Sequence, residues 1–558
     1  MIKRWLKNKI QEHYPDMEFD ILTPPGSKMG DYSVNLAFIL AKKNGTSPAE
    51  EGKKIVEKFL ADREFTDRFG SVEFVAPGFV NFFFKKEFLH KQLTEIYKQR
   101  DSFGTSDVGN GKTVIVEYSS PNIAKPMHIG HLRSTIIGDA LANIYEALGY
   151  KVIRWNYIGD WGTQFGKLIA GYKHWGNKNK DSFSFAEGLE WYIRANKELP
   201  EEEGRIEFKK LEEENTENRN IWQKLKNISL AYFQEVYKEL GVSNFDEWKG
   251  ESDYESKLKP LIEELQRKGL AKESEGALII ELNNLPPAML RKSDGATLYM
   301  TRDLASLEDR IRNYHANKIL YVVANQQTLH FEQLFAIAKM LGFKEAKLTH
   351  VKFGMVLGED GKKLATREGK VVPLQEVMDK VITLALKVVQ DKTSKLSQAE
   401  ASAIAQAVGI GALKYNDLKQ HPYSDIVFDW DVMLDFSGNS GPYLQYTYAR
   451  LANILEKAEN RKEGDASLLV EPEEGKVIKR LLEFPEAIEK CAELNTLNGL
   501  ALYLYELAND TNRFYENVRV LDDDNVERLN ARLVLIESVA AVLERGLNIL
   551  GIKTLKRI

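Results

Sequence analysis

The sequence is poor in cysteine, since its 558 residues include only Cys491. A single thiol excludes an internal disulfide and any metal cluster built from several cysteines. Cys491 lies in a helical pattern, where a lone cysteine is usually a small buried hydrophobic residue. This composition is typical of a protein in a reducing compartment such as the cytoplasm.

Long apolar runs are also missing. No stretch is long and apolar enough to cross a bilayer. Residues 1–6 lack the apolar core and the small-residue cleavage site of a secretory signal. We therefore expect a cytoplasmic protein without a membrane segment.

Neither sign of charge dominates. The net charge is -5, and 43% hydrophobic with 28% charged residues is ordinary for a globular protein. The average charge does not favour nucleic-acid binding, but a local basic patch decides that property. The length is too great for one core and predicts three or four domains.

The most informative stretch is residues 119–131, which read Ser-Ser-Pro-Asn-Ile-Ala-Lys-Pro-Met-His-Ile-Gly-His. An apolar, β-branched run at 113–118 predicts a buried parallel strand before it, and an amphipathic pattern at 132–148 predicts a helix after it. A strand, a tight loop and a helix N-terminus direct backbone N–H groups and the helix dipole at one spot. Two imidazoles and a lysine ammonium surround that spot, which indicates a site that handles phosphate.

Other segments fit the same α/β sheet. A strand at 151–158 runs into a glycine-rich turn at 159–166, and a strand at 318–324 ends at Asn325-Gln326-Gln327, where such sheets bind ligands. Residues from about 171 to 275 are helical and charge-rich, which is typical of solvated helix faces and indicates an insertion. Strand-like pieces at 276–282 and 297–300 are expected to return to the sheet.

Residues 1 to about 105 predict a small α+β domain. Helical patterns occur at 2–13, 32–42, 49–59 and 87–100, and a strand pair occurs at 72–75 and 79–84. The aromatic second strand is a candidate base-stacking platform, although its alternating phenylalanines favour a place in the core.

The remainder is mostly helical. The glycine-rich, basic segment at 355–370 is either a solvated loop or a lid over phosphates. Strand patterns stop near 373, helical patterns follow at 374–396 and 399–416, and residues 441–558 predict an all-helical bundle.

His128-Ile129-Gly130-His131 is identical to the first signature of class I aminoacyl-tRNA synthetases. The whole run at 119–131 resembles the arginyl-tRNA synthetase family, as do residues 159–166, 299–303 and 441–450. Asn530-Ala531-Arg532-Leu533 stands where that family often has Asp-Ala-Leu-Arg. The resemblance covers essentially the whole chain.

The resemblance implies a multidomain α/β fold. Its Rossmann-like catalytic domain, a doubly wound parallel sheet with a helical insertion, is expected at 109–372. A small N-terminal α+β domain that binds the tRNA elbow (D-loop) is expected at 1–108. A helical connector at 373–435 leads to an all-α helical bundle at 436–558 that binds the anticodon.

The resemblance also implies a two-step reaction. The arginine carboxylate attacks the α-phosphate of ATP, and a terminal ribose hydroxyl of tRNA, the 2′ hydroxyl in class I enzymes, then attacks the arginyl-adenylate. ATP enters as a substrate with Mg²⁺, and no tightly bound cofactor is expected. The implied partners are L-arginine, ATP and tRNA(Arg), the implied state is a monomer, and the first step is expected to need tRNA.

The second class I signature, usually Lys-Met-Ser-Lys, is replaced by Lys363-Leu364-Ala365-Thr366, which lacks the second lysine. The family resemblance assigns the missing charge to Lys125. A metal site on the two histidines is disfavoured, because no third ligand lies nearby and the spacing is not His-Glu-x-x-His. The expected catalytic residues are His128, His131, Lys125, Lys363 and Arg367, with no metal ligand among them.

Arginine recognition requires carboxylates that pair with a planar, permanently charged guanidinium. Glu117 is notable, because a charge inside an apolar strand is costly without a partner. The residues to which the resemblance assigns arginine binding are Glu117, Ser120, Pro121, Asn122, His131, Tyr299, Asp303 and Gln327. Those that it assigns to ATP are His128, Gly130, His131, Gly159, Asp160, Gly162, Thr163, Met355, Val356 and Leu357.

For tRNA the candidates are aromatic, amide and basic side chains, which stack on bases or contact phosphates. They are Phe79 and Asn81 in the N-terminal domain, and Tyr443, Tyr446, Tyr448 and Arg450 in the bundle. The tyrosines equally fit the packing of the first bundle helix. Two other functions stay open, namely a non-catalytic tRNA-binding relative and another nucleotidyltransferase with the same histidine signature.

Overall fold

The computed structural model describes residues 2–24, 29–176, 183–293, 295, 297–358, 361, 372–392, 396–458 and 464–558. It confirms the predicted fold class. An antiparallel sheet with helices comes first, a doubly wound parallel sheet with helices occupies the middle of the chain, and helices form the C-terminal part.

The N-terminal strands form one antiparallel sheet in the order β1-β2-β4-β3. The elements are α1 (Ile2–His13), β1 (Ile21–Leu22), β2 (Tyr32–Val34), α2 (Leu36–Asn44), α3 (Pro48–Ala61), α4 (Arg63–Arg68), β3 (Phe69–Val75), β4 (Phe79–Phe84), α5 (Lys86–Gln99) and a 3-10 turn (Arg100–Ser102). The predicted helix at 32–42 is wrong at its start, because Tyr32 pairs with Phe82 across β2 and β4. Phe82 packs in the core with Phe59 and Phe65, as the alternation of phenylalanines favoured.

The catalytic part of the chain is built on a five-stranded parallel sheet in the order β12-β11-β5-β6-β7. Its elements are β5 (Thr113–Glu117), α6 (Ile129–Ala147), β6 (Lys151–Ile158), α7 (Thr163–Trp175), α8 (Phe185–Glu198), α9 (Glu201–Glu212), α10 (Thr216–Leu240), β7 (Glu247–Gly250), a 3-10 turn (Glu251–Tyr254), α11 (Glu255–Arg267), β8 (Ala271–Ser274), β9 (Ala277–Leu282), β10 (Leu285–Arg291), α12 (Tyr299–Arg312), β11 (Lys318–Ala324), a 3-10 turn (Asn325–Gln327), α13 (Thr328–Met340), β12 (Lys347–Phe353) and β13 (Val356–Leu357). Within this sheet the chain enters at the central strand β5 and continues outwards through β6 to β7. It then crosses to the other side of β5 and adds β11 and β12. The carboxyl ends of β5 and β11 therefore flank a topological switch point, where open α/β sheets bind ligands.

Two sequence expectations about this sheet are wrong. Strand β7 lies inside the segment predicted to be a helical insertion, and it extends the parallel sheet. The piece at 276–282 does not return to that sheet, because β8, β9 and β10 form a separate antiparallel sheet. The piece at 297–300 instead leads into α12, which begins at Tyr299. Strand β10 contains Pro286 and Pro287, which an edge strand tolerates because it need not donate every ladder hydrogen bond.

In residues 372–392, 396–458 and 464–558, which the structure describes, the regular elements are helices and one short strand. The elements are α14 (Leu374–Lys392), α15 (Gln398–Leu418), β14 (Ile426–Val427), α16 (Trp430–Met433), α17 (Gly441–Lys457), a 3-10 turn (Ala466–Leu468), α18 (Pro472–Leu482), α19 (Phe484–Leu494), α20 (Asn498–Asn517) and α21 (Val526–Ile549). Strand β14 pairs with β13, so strands do not end near 373 as expected. Cys491 is buried, as predicted.

In the described segments no helix is long and apolar enough to cross a membrane.

Candidate active site

The loop after β5 lies over the carboxyl edge of the parallel sheet. Three of its non-glycine residues have left-handed backbones, with φ of 71° at Ser119, 48° at Ser120 and 58° at Ala124. Such residues cost about 1–2 kcal/mol each, so surrounding contacts must hold them. A single bridge joins Asn122 to Gly159 in the turn after β6. A Cβ at Gly159 would lie 1.9 Å from Asn122 Oδ1, which explains the glycine.

His128 and His131 cap the start of α6. The Gly130 amide donates to His128 Nδ1, and the His128 amide donates to His131 Nδ1, both at 3.0 Å. The two rings stack with their centroids 3.9 Å apart. Since each Nδ1 accepts a hydrogen bond, a neutral ring carries its proton on Nε2 and can donate from there. Burial, and then the charge of His128, lower the pKa of His131 to about 3, so His131 is neutral at physiological pH.

Lys125 places an ammonium beside the N-terminus of α7. Its Nζ donates to Gln164 Oε1 at 3.0 Å and lies 5.6 Å from the centroid of the Tyr192 ring. The side chain is half-buried. Helix α7 is preceded by Gly162, whose φ of 125° suits glycine, and Thr163 is its first residue. A positive charge and a helix N-terminus thus lie in the same region, and both attract anions.

Glu117 has a partner that the sequence did not reveal. Its carboxylate lies 2.5 Å from a guanidinium nitrogen of Arg310, which is on α12 and 1% exposed. The guanidinium carbon of Arg310 lies 4.6 Å from the centroid of the Trp155 ring. Burial raises the pKa of Glu117, and the charge of Arg310 opposes that shift. Arg310 is therefore the partner that a buried Glu117 requires, and Glu117 lies at the carboxyl end of β5.

Asp303 and Glu251 add two further carboxyl groups. Asp303, on the second turn of α12, lies 2.6 Å from His330 Nε2. Burial raises the pKa of Glu251 to about 8, against the charge of Arg302 and together with the charges of Asp160 and Asp303. Sequence reasoning missed Glu251, because it lies in the charge-rich segment interpreted as solvated. Recognising β7 as a sheet strand would have found it, since Glu251 directly follows that strand.

Tyrosines line the same region. Tyr299 is the first residue of α12 and is 63% exposed. Burial, followed by the negative charge of Glu251, raises the pKa of its hydroxyl. The hydroxyl of Tyr157, at the end of β6, is buried and has no hydrogen-bond partner among the described residues. These hydroxyls are polar groups that a charged ligand can use.

The remaining arginine-site candidates lie near these groups. The Ser120 amide donates to Asn156 Oδ1 at 3.2 Å, and its hydroxyl is buried without a partner in the described part of the chain. Pro121 is buried and accepts a hydrogen bond from the Gly159 amide. Gln327 is exposed in the turn after β11, across the switch point from the loop.

The ATP candidates divide into two groups. Gly130, Gly159, Gly162 and Thr163 lie on the two helix starts and turns described above. Met355 and its neighbours Val356 and Leu357 follow the edge strand β12, and the Met355 amide donates to Asp425 Oδ1 at 2.6 Å. Asp160 is a correction, because its carboxylate is fully buried and bound by Lys226 and Ser252 rather than presented to a ligand. Lys363 and Arg367 lie outside the described residues.

Several tRNA candidates are also corrected. Asn81 is 4% exposed and accepts a hydrogen bond from the Ser33 hydroxyl at 2.6 Å, so its amide serves the sheet. Tyr443 and Tyr448 are buried, and the Tyr443 hydroxyl donates to Asn509, which favours the alternative that they pack the first bundle helix. Phe79 is half-buried and packs edge-on against Phe38. Tyr446 and Arg450 are half-buried, with the guanidinium carbon 5.2 Å from the ring centroid.

Comparisons with known proteins agree along the whole chain. Residues 92–430 match the family described as "tRNA synthetases class I (R), catalytic domain". Residues 444–558 match "DALR anticodon binding domain", and residues 1–84 match "Arginyl tRNA synthetase N terminal domain".

Individual relatives give the same result. An arginine–tRNA ligase of Halothermothrix orenii is 42% identical over 554 residues, covering 97% of this chain and 95% of its own. The arginyl-tRNA synthetase of Plasmodium falciparum superposes with a TM-score of 0.85 at 28% identity, covering 100% of this chain and 98% of its own. The Thermus thermophilus enzyme gives a TM-score of 0.81 at 25% identity, with 100% of both chains covered. The chain therefore belongs to the arginyl-tRNA synthetase family of class I aminoacyl-tRNA synthetases.

Proposed function

We propose that this protein is an arginine–tRNA ligase. It activates L-arginine with ATP to arginyl-adenylate and pyrophosphate, and transfers the arginyl group to the 3′-terminal ribose of tRNA(Arg). The observation that carries the proposal is the meeting of two kinds of group at one switch point. Imidazole donors and an ammonium lie at the start of α6 and α7, and carboxyl groups lie at the ends of β5 and β7 and on α12.

In the first step the arginine carboxylate attacks the α-phosphorus, and the bond to pyrophosphate breaks. The Nε2–H groups of His128 and His131 donate to oxygens on which negative charge develops, and Lys125 pairs with the phosphates. The adenosine lies against Gly130, where the absence of a side chain leaves the helix start accessible. Mg²⁺ enters on the ATP phosphates and neutralises part of their charge. Lys363 and Arg367 remain candidates for further phosphate contacts.

The guanidinium of arginine binds among the carboxyl groups. Asp303 and Glu251 are its main partners, because paired carboxylates match the planar fork of N–H donors. Glu117 contributes the side of its carboxylate that Arg310 leaves available. Asn122 and Gln327 supply neutral acceptors and donors, and the ring of Tyr299 covers the substrate. Lysine is rejected, because its point charge cannot satisfy two carboxylates in a fork.

For tRNA we propose contacts in two regions. Phe79 belongs to an N-terminal domain, residues 1–108, that binds the elbow. Tyr446 and Arg450 belong to a helical domain, residues 436–558, that binds the anticodon, through stacking and phosphate contact. A catalytic domain at 109–372 and a connector at 373–435 lie between them. The protein acts as a cytoplasmic monomer, and its first step requires tRNA.

Arginine-dependent ATP–pyrophosphate exchange, measured with and without tRNA(Arg), tests this function. We expect exchange only when tRNA is present, followed by charging of that tRNA. A non-catalytic relative would bind tRNA without exchange under either condition. A small-molecule nucleotidyltransferase would show no arginine-dependent exchange, and exchange without tRNA would contradict the tRNA requirement.

A further inference from the structure

Helix α10 faces the signature loop with an inner row of polar side chains. The sequence places this helix in a charge-rich insertion, yet Trp222, Ser229 and Tyr237 are buried. Their spacing along the helix puts them on one face. That face contacts the two turns that build the active site.

Tyr237 holds the first left-handed residue of the loop. Its hydroxyl lies 2.6 Å from Ser119 Oγ and accepts a hydrogen bond from Asn156 Nδ2 at 3.1 Å. The Tyr237 hydroxyl therefore joins Asn156 to Ser119, and either hydroxyl of the Tyr237–Ser119 pair can be the donor. The other end of the same amide, Asn156 Oδ1, accepts from the Ser120 N–H at 3.2 Å. Ser119 Oγ also lies 2.9 Å from Thr135 Oγ1 on α6. Two successive left-handed residues are thus fixed by one buried network.

Ser229 holds the other left-handed residue. Its Oγ accepts a hydrogen bond from the Ala124 N–H at 2.9 Å and donates to the Leu225 carbonyl at 2.8 Å. The single hydroxyl proton is therefore used within α10, and the lone pair faces Ala124. The next residue after Ala124 is Lys125, so this bond fixes the direction in which the Lys125 side chain extends from the loop.

The same helix braces the turn after β6. Trp222 Nε1 donates to the Asp160 carbonyl at 2.9 Å, and Lys226 Nζ lies 2.6 Å from the Asp160 carboxylate. Gly159, the preceding residue, bridges to Asn122. The loop and the turn are therefore held from one side by a single element.

We propose that Ser229 and Tyr237 are positioning residues, and that each orients a loop residue that binds a different substrate. Tyr237 fixes Ser119 and Ser120 and so sets Asn122 for arginine, whereas Ser229 fixes Ala124 and so sets Lys125 for ATP. The inference rests on the proposed function, since it assigns those substrates to the loop. Neither hydroxyl touches a substrate itself.

The test compares Tyr237→Phe and Ser229→Ala in tRNA-dependent pyrophosphate exchange. Tyr237→Phe is expected to raise the arginine KM about tenfold and to leave the ATP KM within about twofold, from the loss of one buried hydrogen bond. Ser229→Ala is expected to raise the ATP KM by a similar factor and to leave the arginine KM nearly unchanged. The matched controls are Tyr503→Phe and Ser538→Ala, which each remove one buried hydroxyl bond far from the loop. They are expected to change neither KM.

Glycine provides a rescue that separates positioning from general loss of structure. Glycine adopts the left-handed conformation without the Cβ penalty. Ala124→Gly added to Ser229→Ala is therefore expected to lower the raised ATP KM part of the way to its original value. Ser119→Gly added to Tyr237→Phe is expected to do the same for the raised arginine KM. Arginine and ATP KM values that move together, match the controls or show no recovery would overturn the proposal. Absence of arginine-dependent exchange in the unaltered protein would instead overturn the proposed function.

Discussion

Arg310 and Glu117 form a buried ion pair beside the place where we propose that a second guanidinium binds. Both side chains are almost completely shielded, and aromatic rings surround Arg310. Removal of one partner of a buried pair leaves an uncompensated charge, whereas replacement of both is often tolerated. The pair therefore allows the structural and functional roles of Glu117 to be measured separately.

Glu117→Gln is expected to lower the free energy of unfolding by about 3 kcal/mol, because Arg310 is left without a counter-charge. The double variant Glu117→Gln/Arg310→Met is expected to recover most of that stability in denaturant unfolding. Both proteins should show a raised arginine KM in pyrophosphate exchange. A Glu117→Gln protein with an unchanged arginine KM would remove Glu117 from the arginine site.

We expect Glu251 to make arginine binding dependent on pH. Burial raises its pKa to about 8, so without arginine the carboxyl is largely protonated at pH 7. A bound guanidinium favours the ionised form and lowers that pKa, which releases a proton on binding. Affinity for arginine is thus expected to rise from pH 6 to about pH 8 and then to level off.

Titration calorimetry in two buffers of different ionisation enthalpy measures that proton directly. Proton release at pH 7 is expected for the unaltered protein. Glu251→Gln should bind arginine more weakly and release less of a proton. Equal binding enthalpies in the two buffers would contradict the assignment.

We propose that Lys125, in the loop between β5 and α6, supplies the charge that the second signature lacks. Lys125→Ala is expected to abolish arginine-dependent pyrophosphate exchange, because the ATP phosphates lose the ammonium that pairs with them. Binding of tRNA is expected to persist. Filter binding of tRNA and exchange kinetics measure the two properties. Lys151→Ala, an exposed lysine at the start of β6, is the control of equal charge. Near-normal exchange by Lys125→Ala would show that the charge comes from elsewhere.

A second buried ion pair attaches α6 to α15. Arg133 Nε donates to Asp417 Oδ2 at 2.9 Å, and both side chains are at most 2% exposed. Asp417→Asn is expected to lower the free energy of unfolding by about 3–5 kcal/mol, because Arg133 keeps its charge. Glu50→Gln breaks the exposed Lys54–Glu50 pair and should cost less than about 1 kcal/mol. Similar losses in denaturant unfolding for both variants would contradict this account.

Elements with a strong local pattern could be predicted from the sequence. Strands β5, β6 and β11 are mostly apolar, and each ends at a polar or glycine-rich turn, so the sequence located the strands and the edge of the sheet where ligands bind. Strand β7 is short and polar, and β10 contains two prolines, so their pairing depends on neighbours far along the chain. Glu251 was hidden for that reason, whereas the Glu117–Arg310 pair was hidden because its two residues lie far apart in the sequence.

At the scale of the whole molecule, α6 links the signature loop to the C-terminal helices. It begins at the histidine pair and spans 19 residues, or about 28 Å. Towards its other end Asn143 donates to the Ile549 carbonyl, and Tyr145 donates to the Ala492 carbonyl. Sequence resemblance predicted the domain types, but these contacts between distant segments follow only from the fold.

We propose that carboxylates at the switch point select arginine beside an independent ATP site. The most direct measurement is the arginine and ATP KM of Asp303→Asn in tRNA-dependent exchange, with the exposed Asp67→Asn as control. We predict an arginine KM raised at least about thirtyfold, because a charged partner of the guanidinium is lost, and an unchanged ATP KM. An arginine KM equal to that of the control would contradict the claim.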